Sequence, residues 1–433
     1  MTQKVSLFWF RRDLRLEDNK ALNAALNSGN IVLPLFIFDQ EILNKLEVND
    51  ARVAFIHQRL ESINRKLKAL RSGLSVYTGR PSDVFKKLLA EFDLEAVYTN
   101  ADYEPYALKR DSEISDLLGK HNIPLRTFKD QVIFEPNEVL KGDGQPYLVY
   151  TPYLKSWRAK LAETAITIDS EFKGGNLIQR ETFPWISLRE LGFEKSAITV
   201  QNADLSSSLI DNYQANRNTP SKSGTSRLGP HLRFGTVSIR KMIMLGLESK
   251  DDTFLKELVW REFFMQILFH FPHSSTQCFK PQYDRIEWRN NPEEFQKWCE
   301  GQTGYPLVDA GMRELNATGF MHNRVRMLVG SFLCKHLLID WRLGEAYFAS
   351  KLLDYEMSSN VGNWQWVAGC GVDAAPYFRI FNPHTQIDKF DPKHLYIKKW
   401  VPELNELTYP LPMVDHKFAR ERCLNTYKAA LNR

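Results

Sequence analysis

The sequence predicts an α/β domain followed by an all-α domain. In the first 130 or so residues, short apolar runs alternate with segments of helical periodicity. This alternation is typical of a parallel sheet with helices on both faces. Past Leu205, helical periods continue almost to the end of the chain. We therefore expect a Rossmann-like parallel sheet in the first domain and helices alone in the second.

Five apolar runs predict the strands, and four amphipathic segments predict the helices between them. The predicted strands are Val5–Phe10, Ile31–Phe38, Leu74–Thr78, Ala96–Asn100 and Pro124–Phe128. The predicted helices are Asn19–Leu26, Ala51–Leu70, Ser82–Phe92 and Asp111–His121. Most of the strands are near-continuous apolar runs, which indicates that both of their faces are buried.

Periodicity weakens between the two domains, where KGDGQPY (141–147) precedes proline-punctuated sequence. Such a sequence is typical of a long surface connector. The predicted bounds are 1–131 for the α/β domain, 132–204 for the connector and 205–433 for the helical domain.

Composition indicates a globular protein, with 43% hydrophobic and 25% charged residues among 433. No apolar run approaches the roughly 18 residues of a membrane span, and the N-terminus lacks a signal-peptide pattern. We expect a monomeric cytoplasmic protein without a membrane partner. The five cysteines show no metal-binding spacing, so no metal site is predicted. A net charge of +5 tolerates an anionic partner without requiring one.

GCGVDA (369–374) matches a loose dinucleotide fingerprint but does not follow a strand within a βαβ unit. The first predicted strand leads into FRRDLRLED (10–18), not into a glycine-rich loop. Both observations argue against a nicotinamide site.

The segment GTSRLGPHLRFG (224–235) places two hydroxyl groups, those of Thr225 and Ser226, beside Arg227. Gly229 and Pro230 can begin a helix, and free backbone N–H groups at a helix start suit a pyrophosphate. An N-capped surface helix would give the same pattern.

A predicted helix, FLKELVWREFFMQILFHF (254–271), places Glu257, Trp260, Arg261 and Phe264 on one face. A carboxylate, an indole and a guanidinium on one face are unusual in a core stripe. A half-exposed ion pair beside a partly buried tryptophan explains the pattern equally well.

The segment MHNRVRM (321–327) predicts a further helix with Asn323 and Met327 on one face, flanked by Arg324 and Arg326. The two side chains would give this face one polar and one flexible apolar contact group.

Four tryptophans with polar neighbours, Trp298, Trp341, Trp364 and Trp366, carry a family resemblance. They stand in WCEGQTGYPLVDAGMRELNATGFMHNRVRM (298–327), LLIDWRLGE (337–345) and SSNVGNWQWVAGCGVDAAPYFRIFNP (358–383). With LFWFRRDLRLEDN (7–19) and WVPEL (400–404), these stretches resemble the cryptochrome/photolyase family of flavoproteins. Within it, they are most similar to DNA photolyases acting on cyclobutane pyrimidine dimers. The resemblance covers most of the chain.

The resemblance implies that the all-α domain binds FAD noncovalently. The implied contacts are Tyr213, Thr225, Ser226, Arg227, Leu228, Gly229, Phe254, Arg261, Arg326, Asp354, Tyr355, Glu356 and Asn360. Arg326 is expected to pair with Asp354 beside the isoalloxazine, and Asn360 to face flavin N5. A neutral amide can hydrogen-bond the ring whether or not N5 is protonated. By residue type alone, Asn360 would be an ordinary helix-end residue.

This sequence departs from close relatives at Val361 and Asn363, where they often carry Asn and Gly. The departure does not change the assignment of Asn360. It weakens the evidence for which subclass of the family the chain belongs to.

The resemblance also implies contacts to damaged DNA. These are Arg217, Glu257, Trp260, Asn323, Arg324, Met327, Trp366 and Gln386, with Lys389, Lys398 and Lys399 extending the basic rim. Glu257 would hydrogen-bond a flipped dimer held between Trp260 and Trp366. Relatives that repair (6-4) photoproducts carry histidines where this chain has Asn323 and Met327, so the resemblance favours cyclobutane dimers.

Three of the tryptophans resemble the electron-transfer chain of the family. Trp364 would lie nearest the flavin, Trp341 in the middle and Trp298 at the surface. Without the resemblance, the residue types would predict three core tryptophans.

The sequence therefore predicts a carbon–carbon lyase that repairs cyclobutane pyrimidine dimers in light, with FAD as its cofactor and UV-damaged DNA as its partner. The alternatives are a signalling cryptochrome, a (6-4) photolyase, and a flavoenzyme of dark metabolism, whose base or nicotinamide site the sequence does not offer. The sequence leaves open whether a second, antenna chromophore is bound and which one it is. YTNADYEPYALKRD (98–111) resembles the antenna region, but Ala107 stands where folate-binding relatives carry glutamate, which leaves a deazaflavin, another flavin or none.

Overall fold

The computed structural model describes residues 4–169 and 171–432, which fold into two compact units interleaved in sequence. The first unit comprises the described residues of Met1–Glu138, Ala159–Asn202 and Leu228–Leu247. The second comprises those of Val139–Arg158, Ala203–Arg227 and Glu248–Arg433. This division differs from the predicted bounds 1–131, 132–204 and 205–433, since 139–158 joins the helical unit and 228–247 joins the α/β unit.

The first unit contains a five-stranded parallel sheet, as the sequence predicts. Its strands are β1 (Val5–Phe10), β2 (Ile31–Asp39), β3 (Ser75–Gly79), β4 (Leu94–Asn100) and β5 (Leu125–Phe128), in the spatial order β3-β2-β1-β4-β5. Every residue of β1 is buried, and so is every residue of β2 after Ile31. This burial explains the near-continuous apolar runs, because strands covered on both faces have no polar side to alternate with.

The α-helices of the described residues follow in chain order. They are α1 (Lys20–Leu26), α2 (Gln40–Leu43), α3 (Ala51–Lys68), α4 (Pro81–Glu91), α5 (Pro105–Gly119), α6 (Tyr150–Ala162), α7 (Ser207–Asp211), α8 (Tyr213–Asn216), α9 (Gly229–Arg233), α10 (Ile239–Glu248), α11 (Thr253–His270), α12 (Pro292–Glu300), α13 (Pro306–Thr318), α14 (Asn323–Ser331), α15 (Trp341–Lys351), α16 (Met357–Ala368), α17 (Pro383–Phe390), α18 (Leu395–Trp400) and α19 (His416–Leu431). Short 3₁₀ turns span Pro272–Ser275 and Pro281–Arg285, and a π-helical turn spans Phe332–His336.

Two helices of the first unit differ from the prediction. Helix α5 begins at Pro105, six residues before the predicted Asp111, because proline is well suited to the first helical position. The short α2 was not predicted, and its start is capped by the Asp39 side chain, which accepts from the Glu41 N–H. Ala107 lies buried within α5.

Helix α6 lies within 132–204, which the sequence analysis described as a long surface connector. Its first half lies in the second unit and buries Tyr150, Tyr153 and Trp157. These residues recur at i, i+3 and i+7, the spacing of one helix face. Pro152 in the first turn and the lysines and arginines on the other face hide this pattern in the sequence.

The carboxyl ends of β1 and β4 meet where the strand order reverses, which is the ligand-binding crevice of many doubly wound sheets. Here Arg11 pairs with Asp111 at 2.5 Å and Arg12 with Asp102 at 3.1 Å. GCGVDA follows α16 instead of a strand, and Gly369 ends that helix with φ of 91°. Neither place resembles a dinucleotide fingerprint.

Two further findings concern only the described part of the chain. No helix there combines the length and apolarity needed to cross a bilayer. No group of three or more His, Cys, Asp or Glu side chains there is arranged to hold a metal ion. All five cysteines are buried and free of disulfides.

The core of the second unit depends on two close helix approaches, each made possible by a glycine. A Cβ atom on Gly362 of α16 would lie 2.3 Å from the Phe264 ring of α11. A Cβ atom on Gly344 of α15 would lie 2.2 Å from the Trp364 ring of α16. These contacts bring α11, α15 and α16 together around the residues described next.

Candidate active site

Helix α11 presents the predicted mixed face. Glu257, Trp260 and Arg261 are each half-buried, whereas Phe264 is buried. Arg261 donates to Glu356, the N-cap residue of α16, at 3.0 Å. Arg261 therefore anchors this face to α16, and Trp260 stays partly exposed.

Tyr150 of α6 stacks on Trp260, with ring centroids 3.6 Å apart and planes inclined by 9°. The Tyr150 hydroxyl donates to the Lys256 carbonyl of α11 at 2.7 Å, which fixes the ring. Phe264 lies 5.5 Å from Trp260. The sequence analysis missed Tyr150, since its segment was taken as connector; only the i, i+3, i+7 spacing of α6 could have revealed it.

Arg217 and Glu257, both predicted to contact DNA, form an ion pair of 2.5 Å. The Arg217 guanidinium also lies 5.4 Å from the Tyr213 ring, and Tyr213 packs edge-on against Phe254 at 5.7 Å. Burial raises the pKa of the Tyr213 hydroxyl to about 12, so the phenol stays neutral. Residues predicted to contact DNA therefore touch residues predicted to contact the flavin, through the contact between Arg217 and Tyr213.

Helix α14 forms in the predicted segment 321–327 but begins at Asn323, with His322 as its N-cap. The His322 ring accepts from the Arg324 backbone N–H at 3.2 Å and also hydrogen-bonds the Arg217 backbone. Arg324 donates to Asn218 at 2.8 Å. These bonds hold the 217–218 segment against the start of α14, where Asn323 is exposed and Met327 half-buried one turn apart.

The predicted partnership between Arg326 and Asp354 is present. The two guanidinium nitrogens of Arg326 lie 3.2 and 2.9 Å from the two Asp354 carboxylate oxygens, a bidentate pair. Three residues with polar partners, Asp354, Glu356 and Asn360, therefore fall within seven residues at the start of α16.

Asn360 is 9% exposed, and its side chain donates through Nδ2 to the Glu345 carboxylate at 2.9 Å and the Glu345 carbonyl at 3.2 Å. Tyr355 lies nearby, with its hydroxyl 3.4 Å from the same carboxylate. Burial raises the pKa of Glu345, and the hydrogen bonds from Asn360 and Tyr355 oppose that shift. Sequence reasoning did not find Glu345.

Arg227 has a φ of 54°, a conformation that is costly for a residue other than glycine. Its guanidinium lies 3.4 Å from the centroid of the Phe320 ring, and it has no ion-pair partner among the described residues. Thr225, Ser226 and Arg227 belong to the second unit, whereas Leu228 and Gly229 belong to the first. Helix α9, predicted from Gly229, spans only five residues.

The predicted position of Trp298 at the surface is wrong. Its side chain is fully buried, with its N–H donating to the Val329 carbonyl at 3.2 Å. The family resemblance implied a surface position, but α12 turns this indole inward against Phe295 and Phe348. Trp298 also contacts Trp364 directly, at 6.2 Å between ring centroids.

Trp341 is likewise buried, and its N–H is without a hydrogen-bond partner among the described residues. Trp288, which the sequence analysis did not single out, is half-buried. The next residue, Arg289, donates its backbone N–H to the Leu338 carbonyl at 2.7 Å, three residues before Trp341. Trp288 is thus a partly exposed indole on a segment next to Trp341.

The remaining predicted DNA contacts lie on accessible parts of the second unit. Trp366 of α16 and Gln386 of α17 are half-buried, and Lys389, Lys398 and Lys399 are exposed. The Arg324 guanidinium lies 5.3 Å from the Phe390 ring, which links the start of α14 to α17.

Comparison with known proteins identifies the family to which these residues belong. The family described as "FAD binding domain of DNA photolyase" matches residues 254–408, and that described as "DNA photolyase" matches residues 6–170. A deoxyribodipyrimidine photo-lyase of Alkalihalophilus pseudofirmus is 37% identical over 99% of this chain and 98% of its own. That of Escherichia coli is 35% identical over 98% of both.

The chain belongs to the DNA photolyase family.

Solved structures of the family share this fold. A class III photolyase of Agrobacterium tumefaciens is 34% identical with a TM-score of 0.90, covering 100% of this chain and 99% of its own. An archaeal photolyase of Sulfolobus tokodaii, solved with two FAD molecules, is 32% identical with a TM-score of 0.84, covering 98% and 100%. A Synechocystis cryptochrome, 24% identical with a TM-score of 0.86 over 98% and 99%, shares the fold.

Residues 254–408 form the FAD-binding domain of this photolyase family, and the second unit has groups that fit the cofactor. Asn360 is a largely buried residue whose amide nitrogen is bonded to Glu345, and its amide oxygen has no hydrogen-bond partner among the described residues. Arg227 offers a cation, held in a strained backbone conformation, to a phosphate. The ion pairs Arg326–Asp354 and Arg261–Glu356 supply fixed charges beside them.

Proposed function

We propose that the protein repairs cyclobutane pyrimidine dimers in UV-damaged DNA in a light-dependent reaction that uses reduced FAD. The observation that carries the proposal is the half-exposed Trp260, backed by Tyr150 and adjacent to the Arg217–Glu257 pair, on a helix whose Arg261 is anchored at the start of α16. The proposal is supported by relatives named deoxyribodipyrimidine photo-lyase, which this chain matches along almost their whole length.

In this proposal, FAD is held by Tyr213, Thr225–Gly229, Phe254, Arg261, Arg326, Asp354–Glu356 and Asn360. When bound and reduced, FAD would supply, on absorbing light, the electron needed to split the two carbon–carbon bonds that join the pyrimidines, and it would recover that electron. The chain therefore needs no nucleophile or general acid, and its residues bind, orient and exclude water.

The dimer is proposed to lie between Trp260 and Trp366, which replace the base stacking lost on extrusion. The carboxylate of Glu257 can accept an N–H of a pyrimidine, and Arg217 holds that carboxylate in place at 2.5 Å. Asn323 and Met327 add a polar and a soft apolar contact to the base edges. Arg324, Gln386 and the exposed lysines of α17 and α18 contact DNA phosphates.

For photoreduction of oxidised FAD, we propose a route from Trp364 through Trp341 to Trp288. Trp288 replaces Trp298 as the outer member because Trp298 is fully buried and Trp288 reaches solvent. Trp298 would then be a side branch from Trp364. The protein is further proposed to act as a cytoplasmic monomer.

The first test measures bound FAD and dimer affinity. Purified protein should release one FAD per chain and bind an oligonucleotide with a thymine dimer more tightly than undamaged DNA or DNA with a (6-4) product. Trp260→Ala and Trp366→Ala should each weaken dimer binding by roughly 1–3 kcal/mol, the value of one base–aromatic stack. Phe418→Ala, at an exposed aromatic on α19, is the control and should change nothing.

A folded protein without FAD would refute the proposal. Equal affinity for undamaged and dimer-containing DNA would favour a signalling cryptochrome. Preference for DNA with the (6-4) product would favour a (6-4) photolyase.

A further inference from the structure

Arg324 is held by an amide, whereas three other arginines of the second unit are held by carboxylates. Arg217 pairs with Glu257, Arg261 with Glu356 and Arg326 with Asp354. Arg324 donates through Nε to the Asn218 side-chain oxygen at 2.8 Å, and it has no ion-pair partner among the described residues. Both kinds of partner accept a hydrogen bond, but only a carboxylate cancels the charge of the guanidinium.

The positive charge of Arg324 is therefore available to an anion. Burial and the nearby charge of Arg217 lower the pKa of the Arg324 guanidinium from its ordinary 12.5, but the group stays protonated at neutral pH. Arg217 is itself compensated by Glu257 at 2.5 Å. An ion pair has no net charge, so its field falls off faster with distance than that of a single cation. Arg324 therefore supplies net positive charge at the start of α14.

The Arg324 guanidinium is held in place and still keeps free donors. Nε is bonded to Asn218, Nη1 lies 3.5 Å from the Met327 sulfur, and the Phe390 ring centroid lies 5.3 Å from the guanidinium carbon. The N–H groups of Nη2 have no acceptor in the described part of the chain, and the side chain is half-buried. A charged group with free donors and a restricted orientation suits the oxygens of a phosphate.

The amide of Asn218 belongs to a segment whose backbone is fixed on both sides. The Thr219 N–H donates to the Asn216 carbonyl at 3.1 Å. The His322 ring, at the N-terminus of α14, hydrogen-bonds the Arg217 backbone. The Asn218 oxygen therefore has a defined position relative to α14 before any ligand binds.

We propose that Asn218 is a positioning residue for DNA binding, whose neutral amide orients the Arg324 guanidinium toward a DNA phosphate without cancelling its charge. The inference rests on the proposed function, in which Arg324 contacts DNA phosphates. It adds the residue that sets both the orientation and the charge of that contact. Because phosphate contacts carry no sequence information, Asn218 contributes equally to the binding of damaged and undamaged DNA.

Asn218→Asp tests the proposal, because it keeps an acceptor for Arg324 and adds a charge that pairs with it. Affinity for a duplex with one thymine dimer, and for the same duplex without it, should each fall roughly tenfold at about 50 mM salt. The slope of log K against log salt concentration should become shallower by about 0.9, the contribution of one phosphate contact. The ratio of the two affinities should not change. Chemical denaturation should show no loss of stability, since an ion pair replaces the hydrogen bond.

Two matched variants separate the charge from the hydrogen bond. Asn218→Ala removes the acceptor and leaves Arg324 charged, so affinity should fall only roughly threefold, the cost of ordering one side chain, with an unchanged slope. Asn212→Asp adds the same charge to the same segment, at an exposed amide that bonds the Ser208 carbonyl. Its slope should also stay unchanged, because solvent screens a charge that contacts no phosphate-binding group.

An unchanged salt slope in Asn218→Asp would overturn the proposal. So would an equal loss of affinity from Asn218→Asp in an Arg324→Ala background, where the effect should vanish. Parallel losses of stability and affinity in Asn218→Asp and Asn218→Ala, with unchanged slopes, would make Asn218 a structural residue only. Failure of the proposed function looks different, because the unchanged protein would then bind both duplexes equally. The salt slope on the undamaged duplex tests Asn218 in that case too.

Discussion

Tyr150 and Trp260 form a parallel stack with ring centroids 3.6 Å apart, which joins α6 to the helix that carries the proposed dimer contacts. One face of the indole is therefore covered by the protein itself. The Tyr150 hydroxyl bond to Lys256 ties this cover to the backbone of α11. Trp260 is thereby held in one orientation before DNA arrives, which lowers the ordering cost of binding.

Tyr150→Ala should weaken dimer binding by about 0.5–1.5 kcal/mol, the value of an aromatic pair beyond its burial. Tyr150→Phe keeps the ring and should lose less. The measurement is the dissociation constant for thymine-dimer DNA, with FAD content checked in each variant. Equal affinity of Tyr150→Ala and the unchanged protein would show that the stack does not orient Trp260.

Trp364→Phe should abolish photoreduction of oxidised FAD and leave repair by chemically reduced protein intact. Phenyl fills nearly the same space as indole, so stability should change little, but it is far harder to oxidise. The readouts are flavin absorbance under illumination and dimer repair after reduction in the dark. Loss of both activities would make Trp364 a structural or substrate-contacting residue.

Trp288→Phe should slow photoreduction more than Trp298→Phe does, because a hole must reach an indole in contact with solvent. Trp298 is fully buried, whereas Trp288 is half-buried. If Trp298→Phe slowed photoreduction more than Trp288→Phe, Trp298 would be the outer member of the electron-transfer chain. It lies 6.2 Å from Trp364 between ring centroids.

Gly344→Ala should displace Trp364, because the added Cβ would lie 2.2 Å from its ring. Overpacking of this kind costs about 1–3 kcal/mol, and photoreduction should slow as Trp364 moves. Chemical denaturation and flavin absorbance measure the two effects. Gly142→Ala, at a glycine with no atom within 4 Å of the added Cβ, is the control. Unchanged photoreduction in Gly344→Ala would separate that glycine from the electron route.

His322 should make the fold sensitive to acid. Burial, together with the positive charges of Arg326, Arg227 and Arg324, lowers the pKa of His322 to about 4, from an ordinary 6.5. The unfolded chain then binds more protons between these values, so the free energy of unfolding falls as pH drops from about 6.5 to 4, by up to about 3 kcal/mol. His322→Asn keeps an N-cap without a titrating ring. Chemical denaturation at several pH values in this range measures the free energy of unfolding, which should change less with pH in the variant. An equal change in both proteins would contradict the lowered pKa of His322.

The sheet could be predicted from sequence to within two residues at every strand end, because buried parallel strands require continuous apolar runs. The Arg326–Asp354 pair was also expected, because the family resemblance implied it. Helix α6 was missed, since Pro152 and the charged face conceal its buried stripe. Trp298 was placed at the surface through the family resemblance, and the residues around it in the sequence do not show which way its helix faces. The Glu345–Asn360 bond depends on how α15 packs on α16, and no local pattern encodes it.

The most direct test of the account is repair of a defined oligonucleotide by protein whose FAD has been chemically reduced. One substrate carries a single cyclobutane thymine dimer and the other a single (6-4) product. The account predicts that near-ultraviolet or blue light restores the two thymines of the first substrate, that darkness does not, and that the (6-4) product persists in both. A dimer that survives illumination by folded protein with bound, fully reduced FAD would contradict it.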